Sequence, residues 1–242
     1  MIQTKTANIE LDVFKKKKFR EIANAMEFTG KETVFQIGCR TGESTEAFAE
    51  KVKEILAVDP SEERIERCRQ LGIPNAGFRA GDWQEETDRF DVVVARHFHS
   101  YEDIQHMCRI AKKRVCVFTH TDYTGEQLLL QHLLPEQSHS GLALCTRGSI
   151  FENYSHLFHM LYDFGIDPNI KIIKTEIGAE FPSAKAAENI LENLFVLPDA
   201  EKGYFHCRLK EMLTESPRGV TLSIPIKTAL LFWDTEDLKD NI

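Results

Sequence analysis

The stretch Val34-Phe35-Gln36-Ile37-Gly38-Cys39-Arg40-Thr41-Gly42, continued by Ile55-Leu56-Ala57-Val58-Asp59-Pro60-Ser61, decides the fold of this chain. An apolar run, a glycine-punctuated turn, a helix, a second apolar run and a terminal carboxylate describe the first βαβ unit of a nucleoside-binding sheet. Residues 33–37 are β-branched and aromatic enough to form a strand. Gly38 and Gly42 admit backbone angles and close approaches that a side chain would block, so a ligand can lie against bare backbone. The helix that follows, roughly 44–52, sets Ala47, Phe48 and Val52 on one stripe. Its free amide ends point back at the turn and favour negative charge. Asp59 closes the second strand 21 positions after Gly38, close to the roughly 20-residue offset at which a carboxylate meets ribose hydroxyls.

Glycine spacing separates two ligand classes. A dinucleotide fingerprint needs G-x-G-x-x-G, whereas Arg40 and Glu43 stand where the later glycines would fall, which disfavours a pyrophosphate ligand and a nicotinamide-dependent oxidoreductase. The segment instead resembles motif I of the class I S-adenosylmethionine-dependent methyltransferases, usually an acidic residue, an apolar one, then G-x-G-x-G. The resemblance runs through about the first half of the chain. Val58-Asp59-Pro60-Ser61 resembles the family's second motif, where the carboxylate grips the ribose. Gly81-Asp82-Trp83 resembles the motif after the third strand, whose acidic residue contacts the adenine amino group and whose neighbour packs on the ring. Residues 90–96 and 113–119 resemble the fourth and fifth strands.

The resemblance implies S-adenosyl-L-methionine as cofactor, held by Gln36, Gly38, Cys39, Arg40, Thr41, Gly42, Asp59, Pro60, Gly81, Asp82, Trp83 and Arg96. Two positions depart from the family pattern. Gln36 replaces the acid that organises contacts to the methionine amino group, giving up a charge-assisted bond of about 1.5–3 kcal/mol. Arg40 replaces the middle glycine, and its cation can either pair with the methionine carboxylate or obstruct the cleft. These departures motivate an alternative to turnover: an accessory or sensor protein that binds the cofactor, its demethylated product or another nucleoside without reaction.

The alternation of strands and helices predicts an α/β protein with a doubly wound, mostly parallel, seven-stranded sheet. Strands are expected near 33–37, 55–59, 76–80, 90–96, 113–119, 169–177 and 220–233, with helices near 13–28, 44–52, 61–71 and 101–111. A single methyltransferase-like domain of 242 residues is expected, with residues 30–120 as the cofactor-binding core. Helical segments within 124–165 and 182–216 read as a substrate cap, and the segment 220–234 as the final strand.

Beyond the fourth strand, His97 and His99 are expected where ligands of open α/β sheets bind, so either could accept a proton from an attacking nucleophile while Tyr101 orients it. Asp122 and Tyr123 are similarly placed after the fifth strand. The remaining histidine pairs lack zinc-site spacing, and no metal is expected.

A formal charge of −8 opposes nucleic-acid binding and leaves a small-molecule methyl acceptor as the expected partner. The run Lys15-Lys16-Lys17-Lys18 reads as a solvated helix face. Six cysteines without paired spacing suit a reducing cytoplasm. No apolar run approaches the ~18 residues needed to span a membrane, and no export leader is read at the N-terminus. The apolar C-terminal strand suits burial or pairing with a second copy in a homodimer.

Overall fold

In a computed structural model, the protein is described over residues 15–96, 98, 100–121, 132–134, 154–195, 197 and 199–235. The elements are α1 (Lys15–Ala25), β1 (Thr33–Ile37), α2 (Glu43–Ala49), β2 (Glu54–Asp59), α3 (Glu62–Arg69), β3 (Ala76–Ala80), β4 (Phe90–Ala95), α4 (Tyr101–Ile110) and β5 (Ala111–His120). After these come α5 (Tyr154–Asp163), β6 (Asn169–Phe181), α6 (Ala184–Phe195), α7 (Asp199–Met212), β7 (Leu213–Ser216) and β8 (Gly219–Asp234).

The sheet runs β3-β2-β1-β4-β5-β8-β6, with β7 paired to β8. β1 pairs in parallel with both β2 and β4, β2 with β3, and β4 with β5, whereas β8 is antiparallel to β5. This is the expected doubly wound, mostly parallel α/β sheet. The chain order reverses between β1 and β4, and both strands end at the same edge, which is where open α/β sheets bind their ligands.

The sheet has eight strands among the described residues, one more than the expected seven. The extra strand is β7, which pairs with the start of β8 across the turn at 217–218; Gly219 closes that turn with φ 135°. A Cβ there would lie 2.2 Å from the Phe181 carbonyl oxygen, so no other residue fits without backbone movement. The α2 helix also stops at Ala49, short of the expected residue 52, because the amide of Lys51 turns back onto the carbonyl of Phe48.

Contacts divide the chain into two compact units. The larger draws on residues 16–121, 152–173 and 227–242. One face of its sheet buries Phe35, Val93, Val115 and Val117 with Met107 and Leu161, and the other buries Val34, Val92, Val94 and Phe118 with Ile22 and Phe48. Burial of this kind on both faces is what the near-continuous apolar strands require.

The smaller unit draws on residues within 122–151 and 174–226. It packs Ile177, Ala179 and Phe181 of β6 against Leu191, Phe205 and Leu209 of the two helices and Leu222 and Ile224 of β8. The expected helices of 182–216 are thus present as α6 and α7, and they share a core with strands. Of the expected helical segment 124–165, residues 132–134 and 154–165, the latter carrying α5, lie within the described residues.

Candidate functional site

The turn after β1 is built around one carboxylate. Asp59, at the end of β2, is only 2% exposed. Its Oδ2 accepts the Arg40 amide N–H at 3.0 Å and its Oδ1 accepts the Ser61 amide N–H at 3.1 Å. The Arg64 guanidinium stands 3.6 Å from Oδ1. A carboxylate offers about four lone-pair sites, so Asp59 can lock the turn and still accept a ligand hydroxyl. The Gly38 amide donates to the Val58 carbonyl at 2.7 Å, tying the same turn to β2 a second time.

The two glycines of the turn serve different ends. Gly38 has φ 77° and nothing within 4 Å of where a Cβ would stand, so open space meets bare backbone. At Gly42, with φ 87°, a Cβ would lie 2.5 Å from Leu71 Cδ1 and 3.2 Å from Cys68 Sγ. There the close approach is made by the protein's own α3 segment. Arg40 adopts φ 51°, the left-handed conformation that the family's middle glycine suits, and its side chain is exposed. Cys39 is buried 3.7 Å from the sulfur of Cys68, and burial pushes both thiols up, so these groups pack the underside of the turn as protonated thiols.

Gln36 carries the clearest unmet demand. It is 1% exposed; its Nε2 donates to Ser44 Oγ at 2.8 Å, and its Oε1 is buried without a partner among the described residues. Such an orphaned acceptor costs about 1–3 kcal/mol until a donor arrives. Thr45 Oγ1, on the first turn of α2, is likewise buried without a partner among the described residues.

On the other side of β2, the Gly81 amide donates to the Asp59 carbonyl at 3.2 Å, which brings the end of β3 alongside the β1 turn. Gly81 also has open space where a Cβ would stand. Asp82 is exposed and caps a short 3-10 turn, its Oδ1 accepting the Gln84 amide at 2.9 Å. Trp83 is half-buried against the main core, edge-on to His106 with ring centres 5.4 Å apart. Burial first, then the nearby Arg109 cation, holds the His106 imidazole below its ordinary value. Gln84 Nε2 donates to Asp103 Oδ1 at 2.8 Å and ties the turn to α4.

Gln36, Gly38, Arg40, Asp59 and Gly81 are therefore brought together. Pro60 is exposed beside them, and Arg96 follows β4 directly, next to the end of β1. Tyr101 opens α4 exposed and stacked on Phe164 at 6.0 Å. His97, His99, Asp122 and Tyr123 lie outside the described residues. No group of three or more metal-ligating side chains converges among the described residues, and no helix described is long and apolar enough to cross a membrane.

Residues 34–115 match the model of a family described as a methyltransferase domain. Over 91% or 90% of its length the chain superposes on solved structures with TM-scores of 0.50 and 0.51. The fold is that of a class I methyltransferase. Among the solved structures, the YcgJ protein from Bacillus subtilis is 18% identical, with a TM-score of 0.51 over 90% of this chain and 97% of that one. Magnesium protoporphyrin IX methyltransferase from Synechocystis, solved with bound S-adenosylhomocysteine, is 14% identical, with a TM-score of 0.50 over 90% of this chain and 82% of that one. An uncharacterised protein of Haemophilus influenzae is 26% identical over 170 residues, which is 66% of this chain and 60% of that relative. The chain thus spans less than two thirds of that relative's length.

Sequence reasoning missed several residues of this methyltransferase-fold site. Ser44 and Arg64 hold Gln36 and Asp59, but a serine and an arginine on helices carry no signal of such a task. Ser61, by contrast, is quoted with its motif, and its role as the N-cap of α3, accepting the Arg64 amide, is what the structure adds. Gln84 and Asp103 had no local signal, since their bond joins segments 19 positions apart.

Proposed function

We propose that this protein is an S-adenosylmethionine-dependent methyltransferase acting on a small-molecule acceptor. The observation that carries the reading is the orphaned Gln36 Oε1 near the end of β1, followed by a turn whose Gly38 backbone meets open space and whose Arg40 amide is held by the Asp59 carboxylate. These residues fit the cofactor. Gln36 Oε1 accepts a donor such as the methionine ammonium, Asp59 accepts from ribose hydroxyls, Gly38 and Gly81 leave room for approach, and Asp82 and Trp83 serve the adenine. S-adenosylmethionine supplies an activated sulfonium methyl.

The chain's own residues then have to orient rather than activate. Holding two reactants in line contributes up to roughly 7–11 kcal/mol. A base is needed only where the acceptor is protonated; His97 or His99 serves, with Tyr101 positioning it, and contributes about 10²–10⁴-fold. A second reading, binding without turnover, is favoured by Arg40 and Gln36 standing where the family has glycine and an acid.

Calorimetric titration with S-adenosylmethionine and S-adenosylhomocysteine, with NADH as control, tests the proposal. Micromolar binding of the first two alone is the expected result, and silence from both overturns it. Methyl transfer to any acceptor in a screen then separates turnover from binding alone.

A further inference from the structure

Within the turn at residues 38–42, Arg40 alone carries a charged side chain. Its backbone is fixed on both sides. The amide donates to Asp59 Oδ2 at 3.0 Å, and the carbonyl oxygen lies 3.7 Å from the Cys68 sulfur. Between these anchors the residue holds φ 51°, a left-handed conformation that glycine adopts freely and a residue with a Cβ adopts only at a cost. Gly38 and Gly42 meet the same kind of demand with φ 77° and 87° and no side chain. At position 40 the chain instead carries a long cation, exposed and paired with no acid among the described residues. The nearest fixed carboxylate, Asp59, already accepts two amides and faces the Arg64 guanidinium.

Gln36, at the end of the strand that leads into this turn, completes the pattern. It is buried and neutral, with its Nε2 spent on Ser44 and its Oε1 orphaned. Where the family pattern has an acid and a glycine, this chain has an amide and an arginine, so both departures shift the local charge in the positive direction. The amide oxygen can still accept from an ammonium, but it brings no charge to the contact. A guanidinium binds a carboxylate through a charged fork of two hydrogen bonds. The amino-acid tail of the cofactor carries both groups, and the two substitutions favour its anionic one.

We infer that Arg40 reads the carboxylate of the ligand's amino-acid tail, and that charge recognition at this site comes from the carboxylate, with the ammonium left to the neutral Gln36 Oε1. The inference rests on the methyltransferase reading and deepens it. Its rival is obstruction, with the arginine filling room that a glycine leaves open. The two differ in sign, since trimming a clamp weakens binding and trimming an obstacle tightens it.

The test is calorimetric titration of the full-length protein with S-adenosylhomocysteine, its decarboxylated analogue and its deaminated analogue. In the wild type, removing the carboxylate is expected to weaken binding by at least about tenfold, and by more than removing the ammonium does. Arg40→Gly and Arg40→Gln are each expected to weaken S-adenosylhomocysteine binding by about tenfold or more and to leave the decarboxylated analogue within about twofold of its wild-type affinity. Arg40→Gly suits the left-handed conformation, so its melting temperature is expected to be no lower than that of the wild type, and Arg40→Gln keeps the bulk without the charge. Tighter S-adenosylhomocysteine binding by Arg40→Gly overturns the inference in favour of obstruction. An equal loss for both ligands overturns it in favour of a purely structural role, and so does an ammonium that matters more than the carboxylate. S-adenosylhomocysteine binding that ignores Arg40 leaves the methyltransferase reading standing and rejects this inference alone. A wild type that binds none of the three overturns both.

Discussion

At the scale of single residues, Asp59 is under two demands. Its oxygens satisfy the amides of Arg40 and Ser61, and a carboxylate keeps further lone pairs with which to accept a ligand hydroxyl. Removing the carboxylate outright would orphan those amides and confuse a loss of fold with a loss of binding. Asp59→Asn keeps one acceptor oxygen and gives up the charge, which for a charged hydrogen bond is worth about 1.5–3 kcal/mol. Affinity for S-adenosylhomocysteine is expected to fall by about tenfold or more, since 1.4 kcal/mol is a factor of ten. Calorimetry on the folded variant checks this, and unchanged affinity would remove Asp59 from the site. Asp59 was legible from the sequence because it ends an apolar strand at a fixed distance from Gly38. Gln36 and Arg40 were legible as departures, but not their consequences. That Gln36 would bond Ser44 and leave its Oε1 orphaned depends on rotamers and burial that no pattern encodes.

At the scale of elements, the turn after β3 is locked to α4 by the Gln84–Asp103 hydrogen bond and by Trp83 standing edge-on to His106. His106 is held below its ordinary value of 6.5 by burial and then by Arg109, so the folded state disfavours its protonated form. As pH falls below about 6.5, the unfolded chain takes up this proton before the folded chain does. The His106 contribution to stability is therefore fully present above 6.5 and is lost as pH falls from there towards the lower folded value. The urea midpoint is expected to drop as pH is lowered through this range, and His106→Gln is expected to flatten that drop. An identical pH profile in wild type and His106→Gln would remove His106 as its source. The strand boundaries around this turn were legible because apolar runs of five or six residues are bounded by glycine and acidic turns. The tie to α4 was not, because a polar pair distant in sequence leaves no periodicity. The short β7 escaped for a related reason: residues 213–216 alternate too briefly to register as a strand, and they become one only against β8.

At the scale of the whole molecule, the doubly wound order was legible from alternation alone, whereas the division into two compact units was not. Residues 174–226 carry the same apolar density as the rest, and nothing in their composition announces a core of their own. That core is nonetheless distinct: Phe205 and Leu209 on α7, fully buried, pack with Leu191, Phe181 and Leu222. The larger unit closes around other side chains, such as Val93 and Phe35. Phe205→Ala removes a fully buried ring, and such truncations cost about 3–5 kcal/mol through lost transfer energy and the cavity left behind. If the two cores are energetically separable, that loss falls on the local opening of the smaller unit, as sub-global unfolding does in other proteins. Amide hydrogen exchange on Phe205→Ala is then expected to show faster exchange in α6, α7 and β7 and unchanged protection in β1, β2 and β4. Val93→Ala, which truncates a side chain in the larger core, is expected to give the opposite pattern. Uniform acceleration across both units in either variant would mean that the two cores unfold as one cooperative body, whatever the packing of each.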